Sequence, residues 1–244
     1  MLPPATPDAQ LIKSLYDGVF IFAVITFVLV EVLLLYTAVR FRRRSDADAP
    51  VQTHGNNLAE LGWTIVPAIV VAVVFFMSID TAGRLAGHGS TNAPVARVHA
   101  IGDKVAERRV NEAAKVDLVI EVTGRQWFWQ YAYKTDGSLM TDSNDLKPLV
   151  IPAGKTIRLD LTAADVIHAW WVPQLGPMLY VNPGERTAIF IENAQPGEYI
   201  GQCNYYCGVQ HAYMLNNVKV VPEAEFEAWY KDAVAAAGGA VATR

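Results

Sequence analysis

Cysteine is nearly absent from this chain: Cys203 and Cys207 are the only two in 244 residues. That excludes a disulfide-stapled scaffold and allows one bridge at most. Set four positions apart in a glycine-flanked loop, the two thiols suit a shared metal better than a disulfide. Charge is scarce as well, with 18% charged residues against 52% hydrophobic ones. The formal net charge of −4 leaves no basic surplus for a phosphate backbone, which argues against nucleic acid as a partner. There is no C-x-x-C-H haem-attachment motif and no internal repeat. Residues 1–13, MLPPATPDAQLIK, lack the basic start, apolar core and small-residue cleavage site of a signal peptide. They are read as an external N-terminal segment.

The hydrophobic excess lies almost wholly in the first third. From Gly18 to Val39 the chain is apolar except for Glu31 and a few hydroxyls, and Leu61 to Ile79 is uncharged. Each run is close to the about 20 residues that a helix needs to cross a bilayer. Pro67 lies near the start of the second span, where a missing N–H costs least. Arg40, Arg42, Arg43 and Arg44 follow the first span, so the 40–60 loop is assigned to the cytoplasm. The N-terminus and everything after Asp80 then lie outside. Residues 14–82 form a hairpin that anchors an external C-terminal domain. Glu31 is costly inside a membrane and is expected to face protein or water, in contact with a large subunit.

Residues 83–114 read as a connector, with loop signals at Gly87, Gly89, Ser90 and Pro94 and a charged stretch from Asp103 to Ala114. From Lys115 the period changes to two. Val116, Leu118, Ile120 and Val122 alternate with other residues; so do Ile157, Leu159 and Leu161, Ala188 with Phe190, and Val218 with Val220. Turn signals at Pro152-Ala-Gly154, Pro183-Gly184 and Pro196-Gly197 separate these runs. Such spacing predicts a β-sandwich or barrel over 115–222. Glu223–Ala237 predicts a helix with an acidic first turn, and the tail runs to residue 244.

The chemistry concentrates in Gly201–Met214, GQCNYYCGVQHAYM, which holds Cys203, Cys207, His211 and Met214. Sulfur and imidazole together favour copper over magnesium, calcium or manganese. A fifth ligand is sought upstream, and His168 in DVIHAWWVP is the best candidate. His54 falls in the cytoplasmic loop, and His88 and His99 fall in the connector. A mononuclear blue-copper site needs two His, one Cys and a weak axial Met. His168, one cysteine, His211 and Met214 already supply that set, which leaves a second cysteine to bridge to a second metal. Charge shared over two ions and two sulfurs suits electron relay. Zinc is the rival, since two Cys and two His are a common zinc set. The methionine and the external location favour copper.

Four motifs carry a family resemblance: C-x3-C-G-x2-H-x2-M at Cys203 to Met214, DVIHAWWVP at Asp165 to Pro173, GRQWFW at Gly124 to Trp129, and ELGWTIVPAI at Glu60 to Ile69. On these the chain resembles subunit II of the haem–copper respiratory oxidases, the cytochrome c oxidase subunit that carries the dinuclear CuA centre. The resemblance implies a two-helix transmembrane hairpin followed by a cupredoxin-like β-sandwich or barrel. It implies two copper ions held by His168, Cys203, Cys207, His211 and Met214, with the backbone carbonyl of Tyr205 as a further ligand. Trp127 would be the aromatic through which electrons enter, and Glu60 the mouth of a proton path. The implied partners are cytochrome c as donor, oxidase subunits I and III, and the lipid bilayer. The implied location is a bacterial plasma membrane, with the copper domain periplasmic and proton translocation coupled to oxygen reduction on another chain. One departure stands out: Tyr205 replaces the usual Glu between the cysteines, which puts the family's magnesium or manganese site in doubt because a phenol is a poor ligand for it. A CuA-bearing nitric-oxide reductase subunit and a membrane-tethered copper carrier are the alternative readings. Quinol oxidases lack the copper loop.

Overall fold

A computed structural model describes residues 2–42, 54–88, 115–134, 139–143 and 147–236. The chain divides into two compact units: residues 14–82, and residues 1–13 together with 83–244.

Helices α1 (Pro7–Arg40) and α2 (Asn57–His88) supply the first unit. Both are long and apolar enough to cross a membrane, and their most apolar stretches bury nothing within the chain. Apolar residues all round a helix are what a lipid solvent demands. At 34 residues, α1 is roughly 50 Å long against about 30 Å of hydrocarbon, so its polar ends extend beyond the span. The apolar runs therefore mark the spans but not the helices. Residues 7–13 are helical rather than irregular, and α2 continues through Gly87, where a loop was expected. Pro67 lies well inside α2 rather than in its first turn. Residues 89–114, including His99 and the charged stretch from Asp103, lie outside the described residues, as do Arg43 and Arg44.

Both helices begin on side-chain caps. The Thr6 hydroxyl accepts from Ala9 N–H at 3.2 Å, with Pro7 in the first helical position. The Asn56 carbonyl oxygen Oδ1 accepts from Leu58 and Ala59 N–H at 3.1 Å each, and Glu60 returns the favour by accepting Asn56 N–H at 3.2 Å. Glu60 thus acts as the reciprocal member of a capping pair.

The second unit is a β-sandwich. Its strands are β1 (Leu118–Arg125), β2 (Phe128–Tyr133), β3 (Leu139–Asp142), β4 (Leu149–Pro152), β5 (Thr156–Ala163), β6 (His168–Trp170), β7 (Leu179–Val181), β8 (Thr187–Glu192), β9 (Gly197–Tyr199) and β10 (Val218–Val221). One sheet runs β3-β2-β1-β5-β8, a second β4-β10-β9, and β6 pairs with β7. The β1–β5 and β4–β10 pairings are parallel; the others are antiparallel. The sheets do not close into a barrel.

Alternation in β1 buries Leu118, Ile120 and Val122, and β5 adds Ile157, Leu159 and Leu161. In β8 the inward residues are Ile189 and Ile191, not Ala188 and Phe190. Both sets are apolar, and the register with β5 decides: Ile189 pairs with Leu159 and Ile191 with Ile157. On the opposite face of β5, Arg158 and Asp160 form a buried two-pronged ion pair at 2.7 and 3.1 Å. Tyr133 ties the two sheets together, since its hydroxyl donates to Val150 O at 2.8 Å and accepts Val150 N–H at 3.0 Å. Helix α3 (Glu223–Ala236) sets Phe226, Trp229 and Tyr230 around the Tyr133 ring at 5.5–6.4 Å.

The N-terminal segment belongs to this sandwich. Ala5 N–H donates to Gln174 O at 2.9 Å and Ala5 O accepts Gln195 N–H at 3.1 Å. The Thr6 hydroxyl donates to Leu175 O at 3.0 Å. Ala5, Thr6 and Ala9 are buried.

Candidate metal centre

The loop between β9 and β10 is folded back on itself. Cys203 N–H donates to Met214 O at 2.9 Å, and an isolated bridge pairs Gln202 with Leu215. This sets the two ends of the loop side by side. Gln202 N–H to Trp171 O at 3.2 Å and Asn204 N–H to Ala169 O at 3.1 Å stitch the loop to the β6 segment, which brings His168 to Cys203. A short 3-10 turn, His211–Tyr213, then returns His211 and Met214 to Cys207.

The donors fall into two groups joined by sulfur. Cys203 Sγ lies 3.9 Å from His168 Nδ1 and 3.3 Å from Tyr205 O. Cys207 Sγ lies 3.5 Å from His211 Nδ1 and 3.7 Å from Met214 Sδ. The two sulfurs are 3.9 Å apart, and both cysteines are free. Donors around a common ion at roughly 2.0–2.3 Å sit roughly 3.3–4 Å from one another, so this set fits metal and not a disulfide. His168, Cys203, Cys207 and Met214 are buried, and His211 is half-exposed. His168, Cys203 and Cys207 present ligand atoms within 4.8 Å of one another.

Asp165 orients the buried imidazole. Its carboxylate lies 2.9 Å from His168 Nε2 and accepts Gln126 and Val166 N–H at 2.7 Å each. Burial pushes the Asp165 carboxyl up, but its hydrogen bonds with His168, Gln126 and Val166 outweigh this and hold it below the ordinary value. An ionised carboxylate only accepts, so Nε2 carries a proton directed at Asp165, which leaves Nδ1 facing Cys203. Burial likewise opposes ionisation of Cys203, but hydrogen bonding with His168 and the Ala169 and Tyr205 backbone pulls the thiol down to about 6. Burial and the neighbouring Cys203 charge push Cys207 up to about 12. Two adjacent buried thiolates need cations between them, which a metal supplies.

Close packing fixes the imidazole from behind. Trp129 meets it edge-on at 5.8 Å, and a Cβ on Gly124 would come 2.9 Å from His168 Cδ2. Their spacing of two would put Trp127 and Trp129 on one face of a continuous strand, but they do not share one. Trp127 lies in the turn between β1 and β2, at the cis Gln126–Trp127 bond, half-exposed, while Trp129 is fully buried. From that turn the Trp127 indole N–H donates to Cys207 O at 3.2 Å and the Gln126 amide donates to the same oxygen at 2.8 Å. Gly208 sits beneath them at φ +122, where a Cβ would lie 3.0–3.1 Å from both side chains. Asp165 and Gln126 are the site residues that ligand chemistry alone did not single out. The i, i+3 spacing of Asp165 and His168 was the available signal. His54 is exposed just before α2, and His88 is in its last turn.

Two family models match: cytochrome c oxidase subunit II, periplasmic domain, over residues 118–221, and its transmembrane domain over residues 1–81. The chain belongs to the cytochrome c oxidase subunit II family. Among subunit II relatives, a probable cytochrome c oxidase subunit 2 of Rickettsia bellii is 29% identical over 97% of this chain and 85% of its own length. The cytochrome c oxidase subunit 2 of Cereibacter sphaeroides is 28% identical over 95% and 78%. The solved periplasmic domain of subunit II from Bradyrhizobium japonicum is 35% identical, covering 48% of this chain and 94% of that one, with a TM-score of 0.46. This subunit II is therefore a membrane-anchored chain with a periplasmic β-domain, and its buried His and Cys cluster is compatible with copper.

Proposed function

We propose that this chain is the electron-accepting subunit of a respiratory terminal oxidase, taking electrons from cytochrome c at a dinuclear copper centre. It passes them to the haem and copper of subunit I, where oxygen reduction is coupled to proton translocation. The observation that carries this reading is the donor arrangement: each sulfur has its own imidazole, and the two sulfurs face each other. His168, Cys203, the Tyr205 carbonyl, Cys207, His211 and Met214 would together hold the copper, with an imidazole beside each sulfur. Copper held there supplies reversible one-electron exchange.

The protein's own residues hold that geometry still. Asp165 fixes the His168 tautomer, Gly124 and Trp129 fence the ring, and burial excludes water from four of the donors. A buried, fenced site suits a fixed relay better than a carrier that must release its metal. Trp127 is the point at which electrons enter, because its indole is half-exposed and bonded to the backbone of Cys207. The 40–60 loop lies on the cytoplasmic side of a bacterial plasma membrane, and subunits I and III are the expected neighbours. Glu31, exposed on α1, would face subunit I. Tyr205 offers no carboxylate, so this chain would contribute no magnesium ligand there. For Glu60, the capping bond to Asn56 accounts for the carboxylate without a proton path.

The test is copper loading of the full chain in detergent, followed by metal analysis and EPR. Two coppers per chain sharing one unpaired electron are expected. One copper with a single-nucleus hyperfine pattern would overturn the dinuclear assignment.

A further inference from the structure

Residues 3–6 lie between the two chain segments that carry the proposed ligands. The first segment starts at His168 in β6 and runs through residue 175 into the connection to β7. The second starts at Gln195 and runs through β9 into the metal loop at Cys203. Ala5 stands between them as a single rung. Its N–H donates to Gln174 O at 2.9 Å, and its carbonyl accepts Gln195 N–H at 3.1 Å. On either side of that rung, the Gln174 side-chain amide donates to Pro3 O and the Thr6 hydroxyl donates to Leu175 O, each at 3.0 Å. Ala5 and Thr6 are buried, so water does not compete for their bonds.

The first segment is also joined to the metal loop. Ala169 O accepts Asn204 N–H and Trp171 O accepts Gln202 N–H, one bond on each side of Cys203. Val172 is fully buried, and a Cβ on Gly201 would come 2.5 Å from its Cγ2, so the loop backbone lies directly on this side chain. Leu175 N–H donates back to Val172 O at 2.9 Å, which ties the end held by the N-terminus to the part that touches the loop. Strands β6 and β7 are only three residues each, so the connection between them has little sheet to hold it. Such thinly bonded connections are where local opening begins.

From this, and resting on the copper site proposed above, we infer that residues 3–6 are a positioning strap for the metal centre. By clamping the segment after His168 to Gln195, the strap holds His168 and Cys203 in register. Among the described residues, the printed bonds of Pro3, Ala5 and Thr6 go to Gln174, Leu175, Gln195 and the first turn of α1, and none goes to a ligand. The strap therefore acts through Val172, Trp171 and Gln202. Its loss frees the connection after β6, and the loosening reaches Cys203 through the two bonds that flank it, with every donor still present.

The test uses the full chain in detergent and the double variant Thr6→Val/Gln174→Met, which removes the hydroxyl and the side-chain amide that bond across the strap. Two rates are measured: amide hydrogen exchange at Gln202 and Asn204 in the metal-free chain, and copper loss to a chelator from the loaded one. Both are expected to rise about tenfold in the double variant. Tyr133→Phe, whose lost bonds go to Val150 instead, is the comparison for a general loss of stability and is expected to change either rate by less than about twofold. Thr6→Ser keeps the hydroxyl and is expected to leave both rates at the parent level. If the double variant does not fold, Gln174→Met alone decides, with a rise of about threefold expected. Unchanged exchange at Gln202 and Asn204 in a strap variant that melts at a lower temperature would overturn the inference. So would an equal acceleration in Tyr133→Phe. A parent chain that retains no copper would overturn the copper site itself, and the exchange rates of the metal-free chain would still decide the strap.

Discussion

Asp165 holds one nitrogen of His168 so that the other meets the Cys203 thiol. Replacement by Asn preserves shape but removes the carboxylate charge and turns one of its two acceptor oxygens into a donor, so the His168 tautomer is no longer fixed. Asp165→Asn is expected to weaken copper retention about 10- to 100-fold, read as the rate of copper loss to a chelator from the full chain. An unchanged rate would deny Asp165 this part. The candidate ligands could be picked from the sequence because their residue types are rare: two cysteines and five histidines leave few combinations. Asp165 and Gln126 were harder to read because aspartate and glutamine are common and act through hydrogen bonds that only the fold brings together. Trp127, which belongs to the GRQWFW motif, lies in a turn and not on a strand. The turn at Gln126–Trp127 separates it from Trp129, so one indole reaches the Cys207 carbonyl and the other supports His168.

At the scale of elements, Tyr133 shows how the two sheets are held in register. Its hydroxyl both donates to and accepts from the Val150 backbone, from a position ringed by α3 aromatics. Tyr133→Phe leaves both Val150 groups buried without that partner. It is expected to cost about 1–3 kcal/mol, seen as a lower melting temperature of the full chain in detergent with copper stoichiometry preserved. No change in melting would mean that water or another group substitutes. Strand existence was legible from the period of two, and helix existence from apolar length. Element ends were not, because polar residues extend a helix beyond its lipid-facing stretch, as at 7–13 and 80–88. In β8, four consecutive apolar residues, Ala188 to Ile191, satisfy either face. Pairing with β5 alone selects Ile189 and Ile191. Arg158 and Asp160 show the reverse: alternation with Ile157, Leu159 and Leu161 points them off the core, yet mutual pairing lets them be buried.

Across the whole molecule, the N-terminal residues complete a domain whose other parts begin more than a hundred positions later. Thr6 shows this most directly, since its hydroxyl caps α1 and bonds Leu175 O. Thr6→Val is expected to lower stability by about 1–2 kcal/mol, measured by thermal melting of the detergent-solubilised chain. An identical melting curve would mean that the hydroxyl contributes nothing net. No local pattern announces such a contact, and periodicity, turn chemistry and hydropathy are all silent at separations of 169 residues. The contact also bears on the order of synthesis. Pro3 to Thr6 leave the ribosome first and wait for Gln174, Leu175 and Gln195, with both apolar helices made in between. A hairpin that retained its N-terminus on the opposite side of the membrane could not make these bonds at all. A change that keeps one span out of the bilayer would therefore be expected to part Ala5 and Thr6 from Gln174, Leu175 and Gln195.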